Sequence, residues 1–203
     1  MDLVFLIDTS VNSTKDYNEM RNFLFEIVNN LDITSGSVRV AMVTFSTGTD
    51  VHFRLNKHSS VSEVKMGISN AFFYPGDRNI ADAFDALRRN VFFEVYGDRP
   101  DVPDIVLFLT TGNANRNIHR TLQEADALHY FDINILAIGI GEFDHSELDT
   151  IANKPSEKYS LRLSQAKDLP GVRNKVLQQI CRRELRSFFN KWLIVFDKRT
   201  DKN

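Results

Sequence analysis

Unbroken apolar runs alternate along this chain with stretches in which apolar residues recur at helical spacing. Runs such as Leu3–Ile7 and Ile105–Leu109 are too short for helices and are typical of strands buried on both faces. Between them, apolar residues three and four positions apart indicate amphipathic helices. The predicted strands are 3–7, 38–45, 51–55, 105–109, 133–140 and 158–163, and the predicted helices span about 14–31, 61–72, 80–93, 117–130, 145–153 and 170–183.

This order of elements predicts an α/β fold: a doubly wound, mostly parallel sheet with helices on both faces. Strands 38–45 and 51–55 are close enough in sequence to form a hairpin, which gives the sheet one antiparallel edge strand. In such sheets ligands bind at the carboxyl ends of the strands, where the strand order reverses. The loops to examine for function are therefore 8–12, 76–79 and 110–113.

Composition and charge describe an ordinary globular domain. The chain has 203 residues, of which 42% are hydrophobic and 26% are charged, and its net charge is −2. We therefore expect no nucleic-acid partner, and no apolar run reaches the roughly 18–20 residues that a membrane span needs. Because the sequence enters an apolar strand directly, without a signal-peptide pattern, we expect one module of a longer protein.

Catalytic motifs of this architecture are missing from the sequence. Neither a GxGxxG nor a GxxxxGK(S/T) phosphate loop occurs, there is no GxSxG nucleophile turn, and the five histidines show no metal-ligand spacing. The sequence therefore predicts a protein without catalytic residues and without a cofactor. A doubly wound enzyme, such as a nucleotide-binding hydrolase, is the alternative, and nucleotide bound to the purified protein would favour it.

Four strand segments resemble those of von Willebrand factor A domains and occur in the order of that family. They read VFLIDTSVN (4–12), VRVAMVTFS (38–46), VLFLTTG (106–112) and ILAIGIG (135–141). The resemblance implies the Rossmann-like fold of the family over residues 1–186. The segment 172–181 is similar to the A domains of collagen VI α chains, which implies a secreted, extracellular-matrix protein. Its expected partners are other matrix proteins, collagen chains or A domains.

The family binds Mg²⁺ or a similar ion in a metal-ion-dependent adhesion site (MIDAS), and the resemblance places five residues there. Asp8 and Ser10 match the family's ligands, whereas Asn12, Arg78 and Thr111 stand where the family has serine, threonine and aspartate. Such a site needs hard oxygen ligands and carboxylates that balance the ion. Because Arg78 brings a positive charge, we expect a vestigial site without metal, in which Arg78 forms an ion pair with Asp8 or approaches it closely.

The alternative is a working metal site. In that case Arg78 points to solvent, and Asp77 or Asp82 replaces the missing ligand. The protein would then be a metal-dependent adhesion domain that binds an acidic residue of its partner through Mg²⁺. Without the metal, we expect a non-enzymatic protein-binding and assembly module whose interfaces use arginine and aromatic side chains. Some of the 16 phenylalanines should therefore lie at the surface.

Three further features bear on processing and assembly. Asn12 opens the single N-x-(S/T) sequon, which either carries a glycan or simply precedes a helix capped by Ser13 or Thr14. Cys181 is the single cysteine; it is either a buried thiol or, as the resemblance implies, half of a disulfide to a flanking segment. Residues 187–203 form a hydrophobic tail or the start of a linker, which docks on the domain, contacts another copy, or belongs to the next module.

Overall fold

The computed structural model describes residues 1–11 and 13–181, and the main elements follow the predicted order. Six strands form one sheet in the order β3-β2-β1-β4-β5-β6, parallel except for the antiparallel pair β2–β3 at one edge. The strands are β1 (Asp2–Asp8), β2 (Arg39–Phe45), β3 (Thr49–Phe53), β4 (Asp104–Thr110), β5 (Asn134–Ile140) and β6 (Ser160–Leu163). The predicted fold class is confirmed.

Seven helices surround the sheet in the described part of the chain. They are α1 (Thr14–Val28), α2 (Val61–Ser69), α3 (Ile80–Asn90), α4 (Ile118–Tyr130), α5 (Ser146–Ile151), α6 (Ser156–Tyr159) and α7, of which 169–181 are described. Ser13 caps α1, as one of the two predicted residues, because its hydroxyl accepts a hydrogen bond from the Asp16 N–H at 3.2 Å. No helix in the described ranges is both long and apolar enough to cross a membrane.

Strand β1 is buried along its whole length and supplies both hydrophobic cores. Leu3, Phe5 and Ile7 point to a core formed with α1, α2 and α7, whereas Val4 and Leu6 point to a core formed with α3, α4 and α5. This division follows from the two-residue period of a strand. Each fully buried Leu, Ile or Phe side chain stabilises the fold by about 1.5–3 kcal/mol, so both helical layers hold the central strands in place.

Two predicted strands differ from the structure by two residues at an end, and the other four differ by one residue at one or both ends. Strand β3 covers Thr49–Phe53 instead of 51–55, because Ser46 and Gly48 close a tight turn and Thr49 already pairs with Phe45. Strand β6 begins at Ser160, two residues late, because the preceding four residues form the helical turn α6. Neither shift moves a residue of the predicted site.

The strand order reverses between β1 and β4. The chain leaves β1 towards β2 on one side and later returns to β4 on the other side. The carboxyl ends of β1 and β4 therefore flank a crevice, as in other doubly wound sheets. We call this side of the sheet the carboxyl edge, and it carries the loops that contain Asp8, Ser10 and Thr111.

At the opposite edge, three aspartates lie close together at the amino ends of β1 and β4. Carboxylate oxygens of Asp2, Asp98 and Asp104 lie within 4.8 Å of one another. Asp2 is fully buried and is neutralised by Arg99, whose Nη2 and Nε donate to Asp2 Oδ1 at 2.6 and 2.9 Å. Asp104 forms no ion pair with any of the described residues. Burial, followed by the negative charges of Asp98 and Asp2, raises the pKa of Asp104 to about 8.

Replacing Asp104 with Asn should stabilise the protein above neutral pH. The pKa of Asp104 is about 8 when folded and near 3.8 otherwise, so across this window the unfolded chain releases a proton that the folded chain keeps. Stability is therefore lost as pH rises from about 4 to 8. An amide can donate to Asp98 without ionising, and Asp104→Asn should add about 1–3 kcal/mol at pH 8.

Denaturant unfolding at several pH values between 4 and 9 measures this effect. Asp126→Asn, at an exposed position of α4, is the matched control and should leave the pH dependence of the free energy of unfolding unchanged. If the Asp104 and Asp126 variants show the same pH profile, Asp104 does not hold the proton.

Candidate functional site

Asp8 ends strand β1 at the carboxyl edge and is fully buried. Its Oδ1 accepts a hydrogen bond from the Ser10 N–H at 2.8 Å. Its Oδ2 accepts three more, from Thr110 Oγ1 at 3.1 Å and from the N–H and Oγ1 of Thr111, both at 2.8 Å. The Asp8 carboxylate is thus surrounded by donors from its own loop and from the end of β4. Thr111, which stands at the family's aspartate position, is itself one of those donors.

Arg78 reaches into the site but does not bind Asp8. Its Nη1 donates to Ser10 Oγ at 3.2 Å and its Nε donates to the Asn113 carbonyl at 2.9 Å. No ion pair joins Arg78 to Asp8 in the described part of the chain. Of the predicted ion pair or close approach, the ion pair is not formed; Arg78 instead contacts Ser10, whose own N–H donates to Asp8. The physical reason is that four hydrogen-bond donors already stabilise the charge of Asp8, which leaves the guanidinium for other acceptors.

A glycine makes room for the Arg78 side chain. A Cβ atom at Gly112 would lie 2.9 Å from Arg78 Cζ and 3.0 Å from its Nε and Nη2. The guanidinium therefore lies directly against the backbone of the loop that follows β4. The backbone of Arg78 is also fixed, because its N–H donates to Asn115 Oδ1 at 2.6 Å. The guanidinium position is thus set at both ends of the residue.

The two aspartates considered as substitute ligands are engaged elsewhere. Asp77 forms an exposed ion pair with Arg116 at 3.4 Å, and Asp82 pairs with Arg120 at 3.0 Å. Asp82 also accepts a hydrogen bond from Asn79 Nδ2 at 2.6 Å, at the start of α3. Arg78 occupies the position next to Ser10 instead of pointing away from it. The geometry thus differs from the alternative in which an aspartate moves in and the arginine moves out.

Sequence reasoning missed one neighbour of Arg78, Glu147, and assigned no contact to a second, Asn113, which lies in the expected loop 110–113. Glu147 lies at the start of α5, and its Oε1 accepts a hydrogen bond from the Ala114 N–H at 2.8 Å. The pKa of Glu147 is raised above its ordinary value, because the effect of burial exceeds the opposing effects of this hydrogen bond and of the charge of Arg78. Asn113 carries a buried Oδ1 atom without a hydrogen-bond partner within the described residues. The signal for Glu147 was its place after β5, which is adjacent to β4 at the same edge.

Two aromatic side chains lie exposed beside this site. Phe72 is 63% exposed and Tyr74 is 55% exposed, with their ring centroids 6.0 Å apart. Their loop is attached to the end of β1, because the Tyr74 carbonyl accepts from Thr9 Oγ1 at 3.4 Å and Gly76 N–H donates to the Ser10 carbonyl at 3.3 Å. The expectation that some phenylalanines lie at the surface is confirmed here. We call Phe72 and Tyr74 the aromatic ledge.

Comparison with known families is decisive for the fold and its class. A family model for the von Willebrand factor type A domain matches residues 2–175. The chain belongs to the von Willebrand factor type A (vWA) domain family. It is similar to the collagen α-6(VI) chain of Homo sapiens, with 30% identity over 203 residues, and to the collagen α-4(VI) chain of Mus musculus, with 29% identity over 183 residues.

These matches cover 98% and 89% of this chain but 9% and 8% of the two collagen chains. The vWA domain therefore spans less than a tenth of the relatives. A solved structure of proximal thread matrix protein 1 from the mussel byssus has a zinc-occupied MIDAS motif. It aligns with a TM-score of 0.79 and 30% identity, over 89% of this chain and 45% of that one. The family match and the two collagen VI relatives confirm the predicted resemblance.

The two other candidate residues are Cys181, which the structure describes, and Asn12, which it does not. Cys181 is exposed at the end of the described part of α7, so the alternative of a buried structural thiol is wrong, while its disulfide to a flanking segment stays a prediction. Asn12, as sequon and as site residue, lies outside the described residues, and so does the tail 187–203.

Restoring the missing ligands should create a metal site in this vWA domain. Arg78→Thr combined with Thr111→Asp removes one positive charge and adds one carboxylate beside Asp8. We expect Mg²⁺ affinity to rise by at least about tenfold, because the ion requires hard oxygens and negative charge. Isothermal titration calorimetry of both proteins with MgCl₂ measures the change.

Arg116→Thr is the control for this experiment. It also removes an arginine from the carboxyl edge, but one that pairs with Asp77 instead of contacting Ser10. Its Mg²⁺ affinity should equal that of the wild type. Identical titrations for the double variant and the wild type would show that Arg78 and Thr111 are not what disfavours the ion.

Proposed function

We propose that this domain is a non-enzymatic protein-binding and assembly module of an extracellular-matrix protein related to collagen VI, and that it binds its partners without a metal ion. The observation that carries the proposal is the Arg78 guanidinium on Ser10 Oγ, since Ser10 is one of the residues that the family resemblance assigns to the metal site. Membership of the vWA family and similarity to collagen VI chains support the matrix setting. The extracellular location is proposed on the same grounds.

The residues at the carboxyl edge suit a divalent cation poorly. Mg²⁺ needs near-octahedral coordination by hard oxygens and gives up its waters reluctantly. Here Asp8 Oδ2 already accepts three hydrogen bonds, and Ser10 Oγ faces a guanidinium. A cation next to Arg78 would also be repelled by its charge. We therefore assign no step of the function to a metal.

The same arrangement argues against catalysis at this edge. A nucleophilic serine needs a base within hydrogen-bond reach. Ser10 Oγ instead faces Arg78, which has no acceptor and keeps its proton in proteins. Glu147, the nearby carboxyl group, accepts from a backbone N–H. We infer that the carboxyl edge binds and does not catalyse.

A metal-dependent adhesion domain is the second candidate. It is favoured by the retention of Asp8 and Ser10 and by the zinc-occupied MIDAS motif of proximal thread matrix protein 1. The two candidates differ in one measurable property, which is whether binding survives removal of divalent ions.

Binding to matrix partners should be insensitive to chelation. In a biosensor assay of the domain against purified collagen VI and fibrillar collagen, we expect dissociation constants in EDTA and in MgCl₂ to agree within about twofold, a free-energy difference below about 0.5 kcal/mol. The physical reason is that the contacts are direct and no ion bridges the partners.

The double variant Arg78→Thr with Thr111→Asp serves as the matched control, because any binding that it gains through a restored metal site should disappear in EDTA. Binding of the wild type that is lost on chelation and restored by Mg²⁺ would put the metal-dependent adhesion domain first.

A further inference from the structure

We propose that Arg78 is the centre of a carboxylate-binding site, which takes an acidic side chain of a partner peptide directly on its guanidinium. The inference rests on the proposed function and names the chemistry of its partner. In this site the fixed guanidinium attracts the anion, which is the role that a bound metal would otherwise have. The ligand class is a peptide in which Asp or Glu stands next to an apolar residue.

The Arg78 guanidinium is held in place, and some of its N–H donors have no acceptor among the described residues. An arginine side chain carries five N–H groups in a rigid fork. Contacts with the described residues use the Nε–H and one Nη1–H, whereas none uses Nη2. The remaining Nη1 and Nη2 donors have the geometry for two parallel hydrogen bonds to one carboxylate. Arg78 is only partly buried, so a ligand can reach it.

The positive charge of Arg78 is not neutralised by the carboxylates around it. Asp8 does not pair with Arg78, because its two oxygens are occupied by donors from Ser10, Thr110 and Thr111. Glu147 acts on Arg78 from beyond ion-pair distance, and its own carboxyl accepts from the Ala114 N–H. In the described part of the chain, the positive charge of Arg78 therefore has no carboxylate in contact with it. An incoming carboxylate supplies that partner.

Asn113 provides a separate observation at the same place. Its carbonyl holds Arg78 Nε, and its side-chain Oδ1 is buried without a hydrogen-bond partner in the described ranges. A buried acceptor left without a donor costs about 1–3 kcal/mol. A peptide offers a partner to each of the two residues. Its carboxylate binds the Arg78 guanidinium, and one of its backbone N–H groups donates to Asn113 Oδ1.

The aromatic ledge gives the ligand its apolar neighbour. Phe72 and Tyr74 are exposed on a loop whose Gly76 N–H is bonded to Ser10, the residue that contacts Arg78. Aromatic side chains and arginines are both enriched at the energetic centres of protein interfaces. The combination of a fixed guanidinium and a neighbouring aromatic surface therefore fits an acidic residue flanked by an apolar one.

Two capped dipeptides test the site, Ac-Phe-Glu-NH₂ and the isosteric Ac-Phe-Gln-NH₂. Each is titrated in EDTA into the ¹⁵N-labelled full chain, and chemical shifts are followed for the Arg78 Nε–H and the Gly112 N–H. We expect saturable shifts with the glutamate peptide and binding at least about tenfold weaker with the glutamine peptide, because the neutral amide cannot accept a charge-assisted pair of hydrogen bonds.

Three variants localise the effect. Arg78→Gln should abolish the preference for glutamate. Gly112→Ala keeps the arginine but places a methyl group 2.9 Å from Cζ, so it should displace the guanidinium and weaken the glutamate peptide at least about tenfold. Arg116→Gln, at an exposed arginine of the same edge, should bind like the wild type. Thermal unfolding of each variant confirms that it is folded, and the peptide pair still decides the matter if one is not.

Equal affinity for the two peptides would overturn the inference, as would equal losses in the Arg78 and Arg116 variants or a requirement for Mg²⁺. These outcomes are separable from failure of the proposed function. If collagen VI binds in EDTA with equal strength to the wild type and to Arg78→Gln, the carboxylate site is wrong and the metal-independent function stands. If collagen VI binding requires Mg²⁺, the proposed function itself is wrong.

Discussion

The carboxylate of Asp8 ends a strand that is buried along its whole length, so every group that stabilises its charge must come from the protein. A buried ion without hydrogen bonds or a counter-charge would cost several kcal/mol. The chain meets this requirement with donors from Ser10, Thr110 and Thr111, which also tie the loop after β1 to the end of β4. Everything else at the carboxyl edge is arranged around this carboxylate.

The two charged groups of the site differ in burial, because Asp8 is fully buried whereas Arg78 is partly exposed. The negative charge lies at the bottom of the crevice and is satisfied internally, while the positive charge of Arg78 lies above it, against the backbone of Gly112. The two residues that depart from the family motif have distinct contacts. Thr111 donates to Asp8, and Arg78 donates to Ser10.

Fold class and the antiparallel edge strand were accessible from sequence, because β1 and β4 are unbroken apolar runs typical of strands buried on both faces and β2 and β3 are close enough to form a hairpin. Short elements were less accessible: the helical turn before β6 depends on four residues whose pattern is too brief to read. The residues of the site were found through the family motif, but the partner of Arg78 was not, because hydrogen-bond geometry decides it. Glu147 and the three aspartates at the amino edge were missed because they converge from segments distant in sequence. Asn113 lies in an expected loop, but its contacts depend on geometry that the sequence does not show.

The sheet also divides the molecule into two hydrophobic layers that share strands but not their principal helices, with α1, α2 and α7 on one face and α3, α4 and α5 on the other. Substitutions that change packing on one layer are separated from the other layer by the backbone of the sheet, and distant sites of this kind combine nearly additively. Each layer is therefore free to drift in sequence without compensation across the sheet. The fold is shared with proximal thread matrix protein 1 at a TM-score of 0.79 with 30% identity, so core side chains and loops of the carboxyl edge can differ on a common frame.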